Sequence, residues 1–201
     1  MADSQYTEAP HEDRFTAPGV LELLQCFANT IDVETARDDL APGGDRTAPS
    51  GLRHWLLEHE LIGLRDRVNQ DDLKTGLDLR GAIRELAHTN HGEPASPEPL
   101  KVLERIGAAA DLEPRFRPGE PPILEPQAKG VSGALGKLVA IAFGSMSQGD
   151  WQRLKICRSD DCAVVFYDYS KNQSKSWCSM RVCGNRTKVR NYRRREKAGT
   201  A

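Results

Sequence analysis

Hydrophobic residues recur every three or four positions along most of the chain up to residue 148, which is the spacing of one face of an α-helix. Gly, Pro and short polar residues separate the successive stripes. The five stripes begin near Val20, Ser50, Asp71, Pro97 and Val131. The fifth, VSGALGKLVAIAFGSM, is apolar enough to be a buried helix. The pattern predicts a mainly α-helical unit over residues 17–148, hereafter the body.

Two segments depart from this helical pattern. Residues 112–126, LEPRFRPGEPPILEP, place a Pro-Gly pair between short apolar runs, which predicts a small β-hairpin excursion within the body. Residues 1–16 are polar, so we expect them to form a disordered tail.

The pattern changes again after the short polar segment SQGD at residues 147–150. The runs RLKIC and VVFYDY are typical of β-strands, and the RSDD that follows the first run is typical of a turn. A helix is predicted from about Ser179 to Lys197. Residues 149–198 therefore form a second predicted unit, a β-hairpin followed by a helix, hereafter the module.

Four of the five cysteines lie in the module, at Cys157, Cys162, Cys178 and Cys183. They form two C-x4-C pairs, and four thiolates satisfy the tetrahedral coordination that Zn²⁺ prefers. The predicted fold class is therefore mainly α with a small β-hairpin excursion, followed by a small zinc-stapled β-hairpin plus helix. With four cysteine ligands, a single Zn²⁺ would be structural. Two disulfides or four unrelated thiols are the alternatives. Cys26, in an apolar stripe, is expected to be a small core residue.

The first twenty residues contain neither the basic start nor the apolar stretch of a secretory signal. No apolar run in the sequence approaches membrane-spanning length. We therefore expect a cytoplasmic protein without a membrane partner, in a reducing compartment where paired cysteines are more often metal ligands than disulfides.

Charge divides the chain into two opposite units, although the net charge is only -1. Residues 151–197 carry 13 Lys and Arg against 4 Asp and Glu, a net of +9, and the remainder carries -10. Such a basic module favours a nucleic acid as the partner, with DNA as the first hypothesis. RNA and an acidic protein surface, including that of the chain's own body, remain alternatives, as does simple solvation.

A helix over residues 179–197 would place Val182, Asn185, Val189 and Tyr192 on one stripe, which we expect to pack on the hairpin. Cations cover most of the remaining circumference. The predicted nucleic-acid contacts are Arg181, Arg186, Lys188, Arg190, Arg193, Arg194, Arg195 and Lys197.

Catalytic motifs are missing from the sequence: it has no G-x-S-x-G and no phosphate-binding Gly-rich loop. We predict that the protein is not an enzyme. The acidic body is better interpreted as a sensing or dimerising unit for an unidentified small-molecule effector. Asn29, Thr30, Arg53 and Trp55 are the candidate pocket residues, with a core or capping role as the alternative for each.

The run WCSMRVCGNRTKVRNYRRR resembles the CGNR zinc finger, whose name is the tetrapeptide found here from Cys183 to Arg186. In that family the finger follows a helical domain called ABATE, described as a stress-induced transcription regulator, and LLQCFANTID resembles its opening motif. The resemblance implies a DNA-binding transcription regulator with a helical sensing or dimerisation domain. The alternative is a zinc-stabilised RNA- or protein-interaction module without sequence-specific DNA binding.

Overall fold

The computed structural model describes residues 15–45 and 47–199, and its side chains as far as residue 196. The helices are α1 (Leu21–Ala28), α2 (Ser50–Glu58), α3 (Gln70–Thr89), α4 (Glu98–Ala109), α5 (Gly130–Gln148) and α6 (Asn185–Gly199). The strands form three antiparallel hairpins: β1 (Ile31–Asp32) with β2 (Arg37–Asp38), β3 (Leu112–Arg115) with β4 (Ile123–Pro126), and β5 (Leu154–Ile156) with β6 (Val165–Tyr167). The predicted fold class is confirmed.

The helix starts follow local capping chemistry. At α3, the Asn69 side chain accepts the backbone N–H of Asp72, and the Asp72 carboxylate accepts the N–H of Asn69, both at 2.9 Å. Helix α4 begins at Glu98, one residue later than predicted, although the Ser96 hydroxyl accepts the N–H of Glu98 at 3.3 Å. The predicted hairpin excursion is the β3–β4 pair.

Helix α5 lies at the centre of the body, against α1, α3, α4 and β4. Gly136 lets it approach the end of α4 closely, since a Cβ there would lie 2.2 Å from the Cβ of Ala110. By length and composition α5 is also apolar enough to cross a membrane, the one such helix in the described ranges. The expectation that no apolar run approaches that length is therefore wrong for α5, half of whose apolar window is buried inside the protein.

The module shares the hydrophobic core of the body. Trp151, Leu154, Val165 and Tyr167 belong to the same buried cluster as the apolar faces of α1, α3 and α5. The two units that the sequence separates near residue 149 are therefore packed on one another through a continuous core.

Three polar side chains of the body fix the β5–β6 hairpin. Asn29, just after α1, donates to the carbonyl of Val165 and accepts its N–H, each at 2.8 Å. Asn90, just after α3, donates to the carbonyls of Trp151 and Leu154 at 2.8 Å. Next to it, His91 Nε2–H donates to the carbonyl of Ile156 at 2.7 Å. The hairpin is therefore docked by side chains that replace the missing neighbours of a two-stranded sheet.

A further ion pair lies inside the module. Lys155 on β5 and Asp168 just after β6 are 3.0 Å apart, with 3% and 0% of their side chains exposed. Asp168 also accepts from the hydroxyl of Ser170 and the N–H of Lys175. Although burial raises the pKa of Asp168, these hydrogen bonds and the Lys155 ammonium hold it at about 2. The pair fixes the loop that leads from β6 toward the second cysteine pair.

Candidate metal centre and basic helix

The four cysteines of the module meet at one point. Cys157 follows β5, and Cys162 lies at the end of the turn that leads to β6. Cys178 precedes a π-helical turn over Met180–Gly184, and Cys183 lies within that turn. All four are buried, and their Sγ atoms lie within 4.8 Å of one another. The Cys162–Cys178 and Cys178–Cys183 sulfur distances are both 3.6 Å.

These distances fit one zinc ion. Tetrahedral Zn–S bonds of about 2.3 Å place the sulfurs about 3.8 Å apart. A disulfide would require about 2.05 Å, and all four cysteines are free. The four thiols thus form a closed tetrathiolate site for one structural Zn²⁺.

The sulfur chemistry supports the same conclusion. Hydrogen bonds from Cys162 and Cys178 lower the pKa of the Cys157 thiol to about 2. The hydrogen bond to Cys157 raises the pKa of Cys162 to about 12. Burial raises the pKa of Cys183, and hydrogen bonding to its neighbours raises that of Cys178. Thiols must lose their protons to bind a metal, so zinc binding at this site releases protons.

The backbone orients the first cysteine pair. Cys157 N–H donates to the carbonyl of Val164 at 2.8 Å, and Cys162 N–H donates to the carbonyl of Ser159 at 2.9 Å. The N–H groups of Ser159 and Cys178 point at the Cys157 sulfur and help lower its pKa. Such N–H donors stabilise thiolate charge around a metal.

The π-helical turn explains the glycine beside Cys183. Gly184 N–H donates to the carbonyl of Ser179 at 3.0 Å, closing the wide turn. A Cβ at Gly184 would lie 2.5 Å from the Sδ of Met180. A side chain at this position would therefore displace Met180 from the turn.

An apolar shell covers the cysteines and includes a residue assigned to the tail. Phe15, Val164, Trp177 and Val182 pack against the cysteine cluster. The Phe15 carbonyl accepts the N–H of Tyr167 at 3.0 Å. The predicted disorder is therefore wrong for Phe15 and Thr16, which are fixed on the module, and residues 1–14 lie outside the described part.

Arg84 connects the body to the metal site and was missed by the sequence analysis. From α3, its guanidinium donates to the carbonyl of Ala28 at 2.9 Å and to that of Ala163, the residue after Cys162, at 2.8 Å. Burial lowers the pKa of Arg84, while the charge of Cys162 raises it. A cation beside the sulfurs offsets the negative charge of a zinc tetrathiolate.

The predicted packing stripe of α6 is wrong. Val182 is half-buried against the cysteine cluster, but Asn185 is exposed, and Val189 and Tyr192 are 50% and 62% exposed. A continuous α-helix does not begin at Ser179, because the π-helical turn over Met180–Gly184 has more residues per turn and shifts the phase of all the residues that follow. The side of α6 that faces the protein carries Thr187 and Arg190 instead.

The cations of α6 divide into two groups. Arg186 pairs with Glu34 at 3.1 Å, and Arg190 pairs with Asp160 and Asp161 of the first cysteine turn at 3.0 and 2.7 Å. Exposed cations are found at Arg181, Lys188, Arg193, Arg194 and Arg195. The side chain of Lys197 lies outside the described residues. A groove of about 480 Å³ between α6 and the turn is lined by Asp161, Arg186, Arg190, Arg193 and Arg194.

The four candidate pocket residues have structural partners. Asn29 binds β6, as described above. Thr30 Oγ1 donates to the carbonyl of Phe27 at 2.8 Å, and Arg53 donates to that of Leu64 at 2.9 Å. Trp55 is buried against Phe27 at a ring distance of 4.9 Å.

Trp55 also lines an open groove. That groove, of about 640 Å³, lies between α2 and the segment around β2 and also includes His54, Glu58 and Asp39. Asp38, which lines this groove, forms a largely buried ion pair with Arg80 at 2.6 Å that no local sequence pattern indicates. The expectation for Cys26 is wrong, since this residue lies on the exposed side of α1.

The fold and the site together define a zinc-finger protein: a helical body whose core continues into a tetracysteine module that carries a basic helix. Comparison with protein families agrees. Residues 22–144 match the ABATE family, described as "Putative stress-induced transcription regulator", and residues 153–196 match the CGNR zinc finger. The chain belongs to the ABATE family and carries a C-terminal CGNR zinc finger. No curated protein matches the chain.

Proposed function

We propose that the chain is a cytoplasmic, non-catalytic DNA-binding transcription regulator, in which the zinc finger holds α6 on the duplex. The exposure of the cations on α6 is the observation that supports this function best. Outside the ion pairs with Glu34, Asp160 and Asp161 lie four exposed cations of α6 (Lys188, Arg193, Arg194 and Arg195) and Arg181 in the π-helical turn before it. Each cation that neutralises a phosphate releases counterions, which favours binding to a polyanion. The family description of a transcription regulator supports the same proposal.

The body would supply regulation in this proposal. The groove beside Trp55 has the size of a small-molecule site. A ligand bound there would contact α2 and the segment around β2, which the Asp38–Arg80 pair joins to α3. The class of that effector stays open.

A salt titration tests DNA binding. We expect the zinc-loaded full chain to bind duplex DNA with a slope of log K against log[salt] of about -3 to -4, from roughly -0.9 per phosphate. Arg193→Ala and Arg195→Ala should each reduce the slope by about one unit. Arg67→Ala, an exposed cation of the body, is the matched control and should leave it unchanged. Fluorescence anisotropy with labelled duplexes measures all of these values.

The ion pairs of α6 favour a second candidate, an RNA- or protein-interaction module. Arg186 and Arg190 already bind carboxylates in the folded chain, so the helix is chemically suited to an acidic protein surface. Equal binding of duplex DNA, RNA and heparin would leave only non-specific electrostatics. Failure of every α6 variant to weaken duplex binding would favour the protein partner.

A further inference from the structure

The outer face of α6 carries a row of side chains that the protein does not cover. Successive residues of an α-helix are about 100° apart, which places Asn185, Val189, Tyr192 and Glu196 within about 60° of arc. All four are exposed, and we call them the outer row. Thr187 lies on the opposite side of the helix and is half-buried. The outer row therefore points directly away from the protein.

Cations border the outer row on both sides. Lys188 and Arg195 lie about 80° to one side of its centre, and Arg186 and Arg193 lie about 80° to the other side. Lys188, Arg193 and Arg195 are exposed, and Arg186 keeps 39% of its side chain exposed beside Glu34. The free surface of α6 is therefore a polar and apolar strip between two positive edges.

This arrangement matches the major groove of B-form DNA. The groove is about 12 Å wide, and a helix with its side chains is about 10–12 Å across. When a helix lies in the groove, its two flanks face the phosphates of the two strands, and the side between them faces the base edges. The major groove of duplex RNA is too narrow for such a helix, so the two charged edges favour DNA.

We propose that the outer row of α6 reads base edges in the major groove, while the bordering cations hold the phosphates. This proposal rests on the proposed DNA-binding function and adds the residues that determine specificity. The methyl groups of Val189 suit the C5-methyl group of thymine. Asn185 donates one N–H to the carbonyl of Arg181 at 3.1 Å. Its amide oxygen and its second N–H can form the two hydrogen bonds that an adenine edge offers in the major groove.

The far end of the row adds a different chemistry. The Tyr192 hydroxyl donates to the Glu196 carboxylate at 2.7 Å, which fixes both side chains on the outer face. A carboxylate accepts a hydrogen bond from the amino group of cytosine. The preferred duplex should therefore contain thymine near Val189 and cytosine near Glu196.

Selection from a randomised duplex library tests the proposal with the zinc-loaded full chain. The affinity ratio of the enriched duplex to its scrambled form is then measured at one salt concentration. Val189→Ser and Tyr192→Ala should each reduce this ratio about fivefold or more, the discrimination typical of one base contact. Affinity for the scrambled duplex and the salt slope should stay unchanged. Because Val189 and Tyr192 are both exposed, the two variants should have the same melting temperature as the parent chain.

Two control variants distinguish recognition of base edges from binding of phosphates. Asn191→Ser, exposed on α6 but about 130° from the centre of the row, should keep the ratio. Lys188→Ala combined with Arg195→Ala should weaken both duplexes alike and lower the salt slope by about two units. Salt-dependent binding with no enriched sequence, or an unchanged ratio in Val189→Ser and Tyr192→Ala, overturns the outer row but leaves DNA binding in place. Absence of salt-dependent binding to any duplex overturns both.

Discussion

Asn29→Ala tests whether this side chain fixes the zinc finger on the body. The Asn29 side chain donates a hydrogen bond to the carbonyl of Val165 and accepts one from its N–H, and Val165 is fully buried. The Val165 carbonyl would retain the amide of Gln25 at 3.0 Å, but its N–H would lose its partner. One lost hydrogen bond and one buried N–H without a partner together cost about 2 kcal/mol of unfolding free energy.

Urea denaturation of the zinc-loaded chain measures this cost. The matched control is Asn172→Ala, in an exposed loop of the same zinc finger, which should change the unfolding free energy by less than about 0.5 kcal/mol. If Asn29 instead lines an effector pocket and does not stabilise the fold, the Asn29→Ala variant should be as stable as the control variant. A loss below about 0.5 kcal/mol for Asn29→Ala would refute the docking role that we assign to it.

Three further predictions follow from the shared core, the buried ion pair and the acidic turn. Cys178→Ser, or zinc removal by a chelator, should destabilise residues 17–148 together with the finger, because both contribute to one core; a separate, unchanged helical transition in circular dichroism would contradict this. Asp168→Asn should cost about 3 kcal/mol at pH 7 by leaving Lys155 buried without its partner. The pKa of Asp168 is depressed in the folded state to about 2, so its contribution is present above the unfolded pKa of about 4 and is lost as the pH falls toward 2; denaturation at pH 7 and pH 5 should therefore give the same difference. Asp160→Asn combined with Asp161→Asn should raise duplex affinity about twofold to fivefold by removing two negative charges that lie beside the basic helix, whereas Glu58→Gln combined with Glu60→Gln, which removes equal charge from the body, should raise it less.

The zinc ligands and the helices of the body could be predicted because their signals are local. The two C-x4-C pairs are read directly from spacing, and helical stripes need only about a dozen residues of sequence. The orientation of α6 could not be predicted, because one π-helical turn changes the phase of the whole helix. No sequence period signals a turn of that kind.

The contacts that dock the finger were also beyond sequence reasoning. Asn29 and Val165 are 136 residues apart, and Arg84 and Ala163 are 79 apart. Asn29 looked like a pocket residue because a polar side chain at the end of an apolar helix has several possible roles. Its actual partner is a backbone strand whose position depends on the tertiary fold.

Near the start of the basic helix, Arg186 and Arg190 pair with carboxylates of the rest of the protein. The base of this helix is fixed by Cys183, by Arg190 on the acidic turn and, through the hairpin, by Asn29 and Arg84 of the body. Its 15 residues extend about 22 Å. It therefore acts as a lever, and a rotation of about 5° at its base displaces its tip by about 2 Å, since displacement scales with length. Two ångströms is most of the length of a hydrogen bond, so small rearrangements between α1 and α3 are geometrically amplified at the far end of α6.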